Sequence, residues 1–279
     1  MTQIIDGRKI KNDILTELEK EVMTLPFTPI FCDILVGDNK VSSKYVDIKA
    51  KNAQSIGIKF RRIEFPETVR IEEIVEEIEN LNRVPHMCGI IVQLPLPNSI
   101  NQSIVLDSIL PSLDVDCLGR DASNDFYNNT GILGCPTALA CVDILDSLNI
   151  NLADKKIVVL GQGQLVGLPV THLLRSRDLT VETINSNTLN ANELLKNADI
   201  IISGIGKDNF ITGDMIKNGV VIIDAGTSEE GGAIHGDVNL ESVEGIASFV
   251  TPSPGGVGPV TVAMLLKNVL LIAKQKSKF

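Results

Sequence analysis

Apolar runs of strand length take turns with amphipathic runs of helix length along this chain, and that alternation constrains its fold more than any other feature. Ile10, Ile14, Leu15, Leu18 and Val22 recur at helical spacing, Pro26 and Pro29 break the pattern, and 30–36 reads as a buried strand. The spacing then predicts a helix over 42–56 closed by Gly57, a strand over 58–65, and an acidic amphipathic helix over 71–81. A buried strand over 88–93 ends at Pro95, and helices over 102–110 and 137–148 flank an irregular stretch. From Lys156 the alternation restarts, with strands at 157–160, 180–184, 199–203 and 220–224 and helices at 165–175 and 191–197. Such alternation implies parallel βαβ units, and two successive blocks imply two α/β domains, over 1–140 and 141–254. The last helix, 259–274, has no sheet left to complete. It is expected to cross back onto the first domain, which residues 255–279 would then finish.

Composition removes several function classes. At 279 residues, 44% hydrophobic and 22% charged, the chain has the make-up of a globular protein rather than a disordered or coiled-coil one. A net charge of -10 disfavours a nucleic-acid partner, so any anionic ligand must be held locally. The longest apolar run, 260–273, is interrupted by Lys267 and too short to span a bilayer. Asp6, Arg8 and Lys9 stand where a signal peptide would have its apolar core, so a cytoplasmic protein without membrane attachment is expected. Five cysteines without a CxxC fit neither a disulfide framework nor a zinc site, and three scattered histidines support neither a metal centre nor a triad. The chemistry has to come from other residue types.

Four segments could supply it. Tyr45 and Lys49 lie four residues apart, hence on one helix face, although such a pair is ordinarily solvated. Gln93 ends an apolar strand before Leu94 and Pro95, where parallel sheets bind ligands, but it could equally cap the strand. Asp114 and Asp116 punctuate the irregular stretch after Pro111. Finally, Gly161-Gln162-Gly163 and Val166-Gly167 lie between a strand and a helix, where backbone N–H groups can hold a pyrophosphate; the spacing is not that of the usual dinucleotide fingerprint. Cofactor choice is read at the next strand end, where Asn185-Ser186-Asn187-Thr188 offers no acid to repel a 2′-phosphate, which favours NADP with NAD as the alternative.

A fifth segment, Thr251-Pro252-Ser253-Pro254-Gly255-Gly256-Val257-Gly258-Pro259, specifies one unusual backbone path. Taken alone it is a rigid turn into a buried helix, with Pro259 suited to the first helical position. It also resembles the TPVPGGVGPMT signature of the bifunctional methylenetetrahydrofolate dehydrogenase/cyclohydrolase (FolD) family. Five other segments resemble that family in the same order. Ser43 to Lys51 is similar to S-x-x-Y-V-x-x-K-x-K, Val92 to Pro97 to V-Q-L-P-L-P, Pro111 to Cys117 to P-x-K-D-V-D-G, and Gly161 to Pro169 to G-R-S-x-x-V-G-x-P. Asp224 to Thr227 with Gly236-Asp237-Val238 is similar to D-V-G-I…G-D-V. The chain departs from the pattern at Leu113, where lysine is usual, at Cys117, where glycine is, and at Gln162 and Gly163, which replace Arg and Ser.

The resemblance implies a first domain that grips a tetrahydrofolate and a Rossmann-like second domain that binds NADP, joined in a homodimer. It implies oxidation of 5,10-methylenetetrahydrofolate and hydrolysis of the methenyl product to 10-formyltetrahydrofolate. Lys49 would be the central catalytic residue, with Gln93 in contact with it, Tyr45 placing the folate and Asp116 binding the pterin ring. Leu94, Pro95, Pro254, Gly255 and Gly256 would complete the substrate surface, the last three as a wall of the interdomain cleft. Gly161, Gln162, Gly163, Val166, Gly167, Ser186 and Thr227 would touch the cofactor. A neutral amide at Gln93, in place of a carboxylate, is expected to ease proton loss from Lys49. The rivals are a dehydrogenase without the hydrolase, a two-domain nicotinamide dehydrogenase for a small acid, and a folate-binding protein without turnover.

Overall fold

The computed structural model describes residues 1–230 and 233–278. In chain order its elements are β1 (Gln3–Ile4), α1 (Gly7–Val22), β2 (Ile30–Val36), α2 (Lys40–Ser55), β3 (Lys59–Phe65), α3 (Ile71–Asn82), β4 (Met87–Val92), α4 (Gln102–Asp107), α5 (Arg120–Tyr127) and α6 (Pro136–Ser147). There follow β5 (Ile157–Leu160), α7 (Gly167–Arg175), β6 (Val181–Ile184), α8 (Ala191–Asn197), β7 (Ile200–Ser203), β8 (Val221–Asp224), the hairpin β9 (Ser228–Glu230) and β10 (Ala233–His235), α9 (Leu240–Val243), β11 (Phe249–Val250) and α10 (Val257–Lys276). The chain divides into two compact units, one of Met1–Asn12 with Thr137–Thr261 and one of Asp13–Pro136 with Val262–Phe279.

The second of these units is built on a parallel sheet of order β3-β2-β4. The central strand β2 and its neighbour β4 are buried almost throughout, as strands of a covered parallel sheet are. The carboxyl-terminal part of α10 belongs to this unit: Val262, Ala263, Leu266, Val269, Leu270 and Ala273 join the core of Ile34, Ile90 and Val115. A buried side chain of that size stabilises by about 1.5–3 kcal/mol, so α10 is a structural member of this unit. The helix passes a length-and-hydropathy test for a membrane span, but two thirds of its apolar window, 67%, is buried inside the protein, as in a core helix.

The other unit carries a parallel sheet of order β1-β11-β8-β7-β5-β6, with helices following β5 and β6 in the Rossmann-like manner. β1 pairs in parallel with β11, Gln3 opposite Phe249 and Ile4 opposite Val250. The first twelve residues therefore lie with this unit, although the sequence places 1–140 together, and its second boundary falls at Thr137 instead of 141. A two-residue strand whose partner lies nearly the whole chain away leaves no local pattern to read. Helix ends also differ from expectation: α2 begins at Lys40 instead of 42 and α7 at Gly167 instead of 165. α4 stops at Asp107 instead of 110, and α10 begins at Val257, so Pro259 is its third residue instead of its first. The first four N–H groups of a helix have no partner inside it, so proline costs no hydrogen bond there.

Candidate active site

The site in the three-stranded unit starts from the buried stripe of α2. Asn39 caps the helix, its side-chain oxygen accepting from the Ser42 N–H at 2.8 Å. Ser42, Val46, Lys49 and Ala53 then recur on the face turned to the sheet. That periodicity carries Lys49 inward, and it is only 7% exposed. Its Nζ donates to Gln93 Oε1 at 2.8 Å. Gln93 is held at the end of β4 by its own N–H, which donates to Ile34 O at 2.8 Å, and by its Nε2, which donates to Leu94 O at 2.7 Å. Its carbonyl oxygen is left for the lysine.

A carboxylate also faces Lys49, against the expectation of a purely neutral neighbour. Asp33 Oδ2 lies 2.7 Å from Nζ as an ion pair, and Asp33 is completely buried. Neither of its oxygens receives a directed hydrogen bond from the described residues. Burial pushes its carboxyl upward in pKa, opposed by Lys49 and then by Arg62. Sequence reading passed over Asp33, because one acid inside Ile30–Val36 looks like an interruption of an apolar run.

The loop from Leu113 to Cys117 lies against β4: Ile90 bridges Asp114, and the Ile90 N–H donates to Leu113 O at 2.8 Å. The buried Asp114 carboxylate accepts from the N–H groups of Asp116, Leu118 and Gly119 at 3.2, 3.0 and 2.7 Å. Asn268 of α10 anchors the loop further, donating to Val115 O at 2.8 Å and Gly134 O at 2.7 Å. Asp116 is thereby held with its side chain in no hydrogen bond among the described residues. Burial pushes its carboxyl up to about 7, Lys49 pulls it down, and Asp114 and Asp33 push it up. Cys117 has φ 58°, the left-handed region that favours glycine, which accounts for a glycine at this place in the family pattern. Leu113 is buried, 1% exposed, and serves the core. Tyr45 is half-buried on the Lys49 face of α2, and burial raises its phenol. Leu94 is half-buried and Pro95 exposed beyond Gln93, joined by a cis peptide bond.

The other unit places its candidate residues along the carboxyl edge of its parallel sheet. Gly161 follows β5 with φ 89°, and a Cβ on Gly167 would come within 1.9 Å of Gly161 O, so both glycines are demanded by close backbone approach. A Cβ on Gly163 would meet nothing within 4 Å, which leaves its backbone open to a ligand at the start of α7. Val166 packs against Gly204, where a Cβ would come within 2.5 Å of its side chain, and so supports the loop from behind. The Gln162 amide turns back on Gly161 O at 2.6 Å and Thr171 Oγ1 at 3.4 Å, which occupies its side chain locally. Beyond β6, Asn185 and Thr188 close a turn on each other while Ser186 is exposed at its tip. Thr227 is exposed after β8.

The motifs around Thr227 are structural. Asp237 is fully buried and accepts from Ser203 Oγ, Ile205 N–H and Lys207 N–H at 2.6, 2.9 and 2.7 Å. A Cβ on Gly226 would fall 2.1 Å from that carboxylate. In the proline–glycine segment, Gly256 is buried and its carbonyl lies where a Cβ on Gly7 would be, at 1.8 Å, while the Gly7 N–H donates to Gly255 O at 3.0 Å. Gly256 is thus consumed by packing at the start of α1, whereas Pro254 is exposed and Gly255, at φ 114°, is half-buried.

These two sites match known proteins over almost the whole chain. Residues 5–116 match the family described as "Tetrahydrofolate dehydrogenase/cyclohydrolase, catalytic domain", and residues 135–277 match its "NAD(P)-binding domain". The chain is 38% identical to a "Bifunctional protein FolD" of Rickettsia bellii, covering 97% of this chain and 98% of that one. A protein of the same name from Thermodesulfovibrio yellowstonii is also 38% identical, over 99% and 98%. Among solved structures, the bifunctional FolD of Campylobacter jejuni superposes with a TM-score of 0.93 at 34% identity, over 99% of this chain and 100% of that one. The Trypanosoma brucei methylenetetrahydrofolate dehydrogenase-cyclohydrolase, complexed with NADP cofactor and inhibitor, gives 0.94 at 34%, over 100% and 99%. With both domains matched and relatives this similar at full length, the chain belongs to the tetrahydrofolate dehydrogenase/cyclohydrolase family.

Proposed function

We infer that the protein oxidises 5,10-methylenetetrahydrofolate to the 5,10-methenyl form with NADP+ and hydrolyses that product to 10-formyltetrahydrofolate. The observation that carries the reading is Lys49, drawn into a mostly buried position by the inner face of α2 and held by Gln93 at 2.8 Å. An ordinary surface lysine needs neither feature. The chain's residues fit the cofactor: Gly163 leaves open space at the start of α7, and the exposed Ser186 has Asn185 and Asn187 as its chain neighbours, with no acid to repel a 2′-phosphate. When bound, NADP+ supplies the hydride acceptor.

In this reading the backbone around Gly161, Gly163 and Gly167, backed by Val166, cradles the pyrophosphate, and Ser186 and Thr227 meet the cofactor through exposed hydroxyls. Gln162 takes part through its backbone, since its amide is already engaged. Asp116 accepts from the amino-pyrimidinone of the pterin through two parallel hydrogen bonds, for which its carboxylate is left unclaimed. Tyr45, Leu94 and Pro95 position the folate. For hydrolysis, Lys49 takes the proton from the water that attacks the methenyl carbon and returns one to the departing ring nitrogen, with Gln93 fixing its direction. A homodimeric, cytoplasmic enzyme without nucleic-acid or membrane partners completes the proposal, and light scattering checks the mass.

Initial rates with each cofactor, read by methenyl-folate absorbance, test the reading. Methenyl product should form faster with NADP+ than with NAD+, and its absorbance should then decay faster than in buffer. Oxidation with no accelerated decay would leave a dehydrogenase alone. Binding of both ligands without turnover would reduce the protein to a folate carrier.

A further inference from the structure

Asp33 is the buried group that the reading above leaves unused. It stands in the middle of β2, opposite Arg62 of β3 and Ile91 of β4, where the flanking strand positions are apolar and fully buried. A carboxylate at that depth is costly unless hydrogen bonds or a counter-charge compensate it. The other buried aspartates among the described residues are compensated by backbone: Asp114 by three N–H groups, Asp224 by those of Gly226 and Val238, and Asp237 by two N–H groups and a hydroxyl. Asp33 receives no directed hydrogen bond among the described residues, and the cation at 2.7 Å is Lys49 Nζ. It therefore fixes no turn and caps no strand.

We propose that Asp33 is a positioning residue for Lys49, anchoring its ammonium beside Gln93 and setting the pH range over which the hydrolysis step runs. The proposal rests on Lys49 as the proton-transfer group. The surrounding charges are accounted for. α2 presents Lys49 and the half-buried Tyr45. β3 presents Arg62, whose guanidinium is also held by Asp47 and Glu64. Gln93 after β4 is neutral, and the loop adds Asp114 and Asp116, the latter feeling the Asp33 charge. Cys32, next along the strand, alternates to the opposite face. The buried anion holds the ammonium in place, and a neutral side chain at position 33 withdraws that hold. The same change removes an anion that opposes ionisation of Asp116. Easier ionisation of Asp116 moves the acidic limb of the rate to lower pH.

The test is the rate of methenyl-folate hydrolysis against pH for wild type, Asp33→Asn and Asp33→Val, with Lys49→Met as the gate. Asp33→Val gives β2 a residue suited to a buried strand, so folding does not hinge on the amide variant. The acidic limb of the profile should move to lower pH by about one unit in both variants, about a tenfold rate difference at a fixed pH on the limb. A limb that stays in place in Asp33→Val, whatever happens to the melting temperature, overturns the role of Asp33 while leaving Lys49 as assigned. Full hydrolysis by Lys49→Met instead overturns the assignment of Lys49 itself, and the proposal with it.

Discussion

Asp33 and Asp237 are both fully buried aspartates, yet their surroundings differ in kind. Asp237 accepts three directed hydrogen bonds and fills the space that Gly226 leaves by lacking a side chain. Asp33 has one counter-ion and no directed bond. The same residue type at the same depth thus builds a loop in one unit and pairs with a buried lysine in the other. Buried charge becomes scaffold when backbone donors surround it, and stays available for chemistry when a titratable side chain is its main partner.

The contrast is broken most forcefully at Asp237. Asp237→Ala should lower stability by about 3–5 kcal/mol, because it strands a buried hydroxyl and two part-buried N–H donors or forces them to rearrange, and thermal melts measure it. Asp33→Val should cost clearly less, since no backbone donor is orphaned. Equal losses would erase the distinction. Asp116 comes next. Asp116→Ala should weaken folate binding by about 2–4 kcal/mol if a two-pronged charged contact is lost, which titration of a folate analogue would detect. Unchanged affinity would move the pterin away from Asp116.

The same carboxyls make stability and binding move oppositely with pH. Burial raises both Asp116 and Asp224 to about 7, Asp224 with added repulsion from Asp237. A carboxyl whose folded pKa lies above its unfolded value contributes stability below the unfolded value and loses it as pH climbs through the folded one. Melting temperature should therefore fall between about pH 4 and pH 8. Folate affinity should rise across the upper part of that window as Asp116 ionises. Parallel curves would mean that Asp116 binds the pterin in its neutral form. At the cofactor loop, Ser186→Asp should reduce the preference for NADP+ over NAD+ by about tenfold in kcat/KM, since an acid there repels a 2′-phosphate and suits a free hydroxyl.

How far the sequence exposed this arrangement depended on whether a signal was local. β2, β4, α2 and α3 were legible because their apolar spacing is dense and unbroken. Lys49 and Gln93 were legible because each ends or lines such an element. β1 and β11 were not, being two residues each and paired across the chain. α5 gives no helical pattern, since Ala122 and Phe126 are its only buried positions. Asp33 stayed hidden for a subtler reason: its meaning lies in the residue it faces across the fold, and an acid in an apolar run gives no hint of which lysine that will be.

Cys117 offers the smallest test and isolates backbone from charge. Its φ of 58° places a side chain in the left-handed region, at a cost of order 1 kcal/mol for a non-glycine residue. Its thiol is buried beside Cys135, and hydrogen bonding to Cys135, then burial, raises its pKa. Cys117→Gly relieves the backbone but gives up that packing and frees the unfolded chain, so the two effects should nearly cancel. The expected outcome is a change within about 1 kcal/mol, with Asp116 still held by Asp114 and folate affinity unaltered. A larger loss of folate affinity would mean that the loop depends on the thiol contact and not on the three N–H groups around Asp114, and the scaffold half of the comparison would then need a sulfur beside its carboxylates.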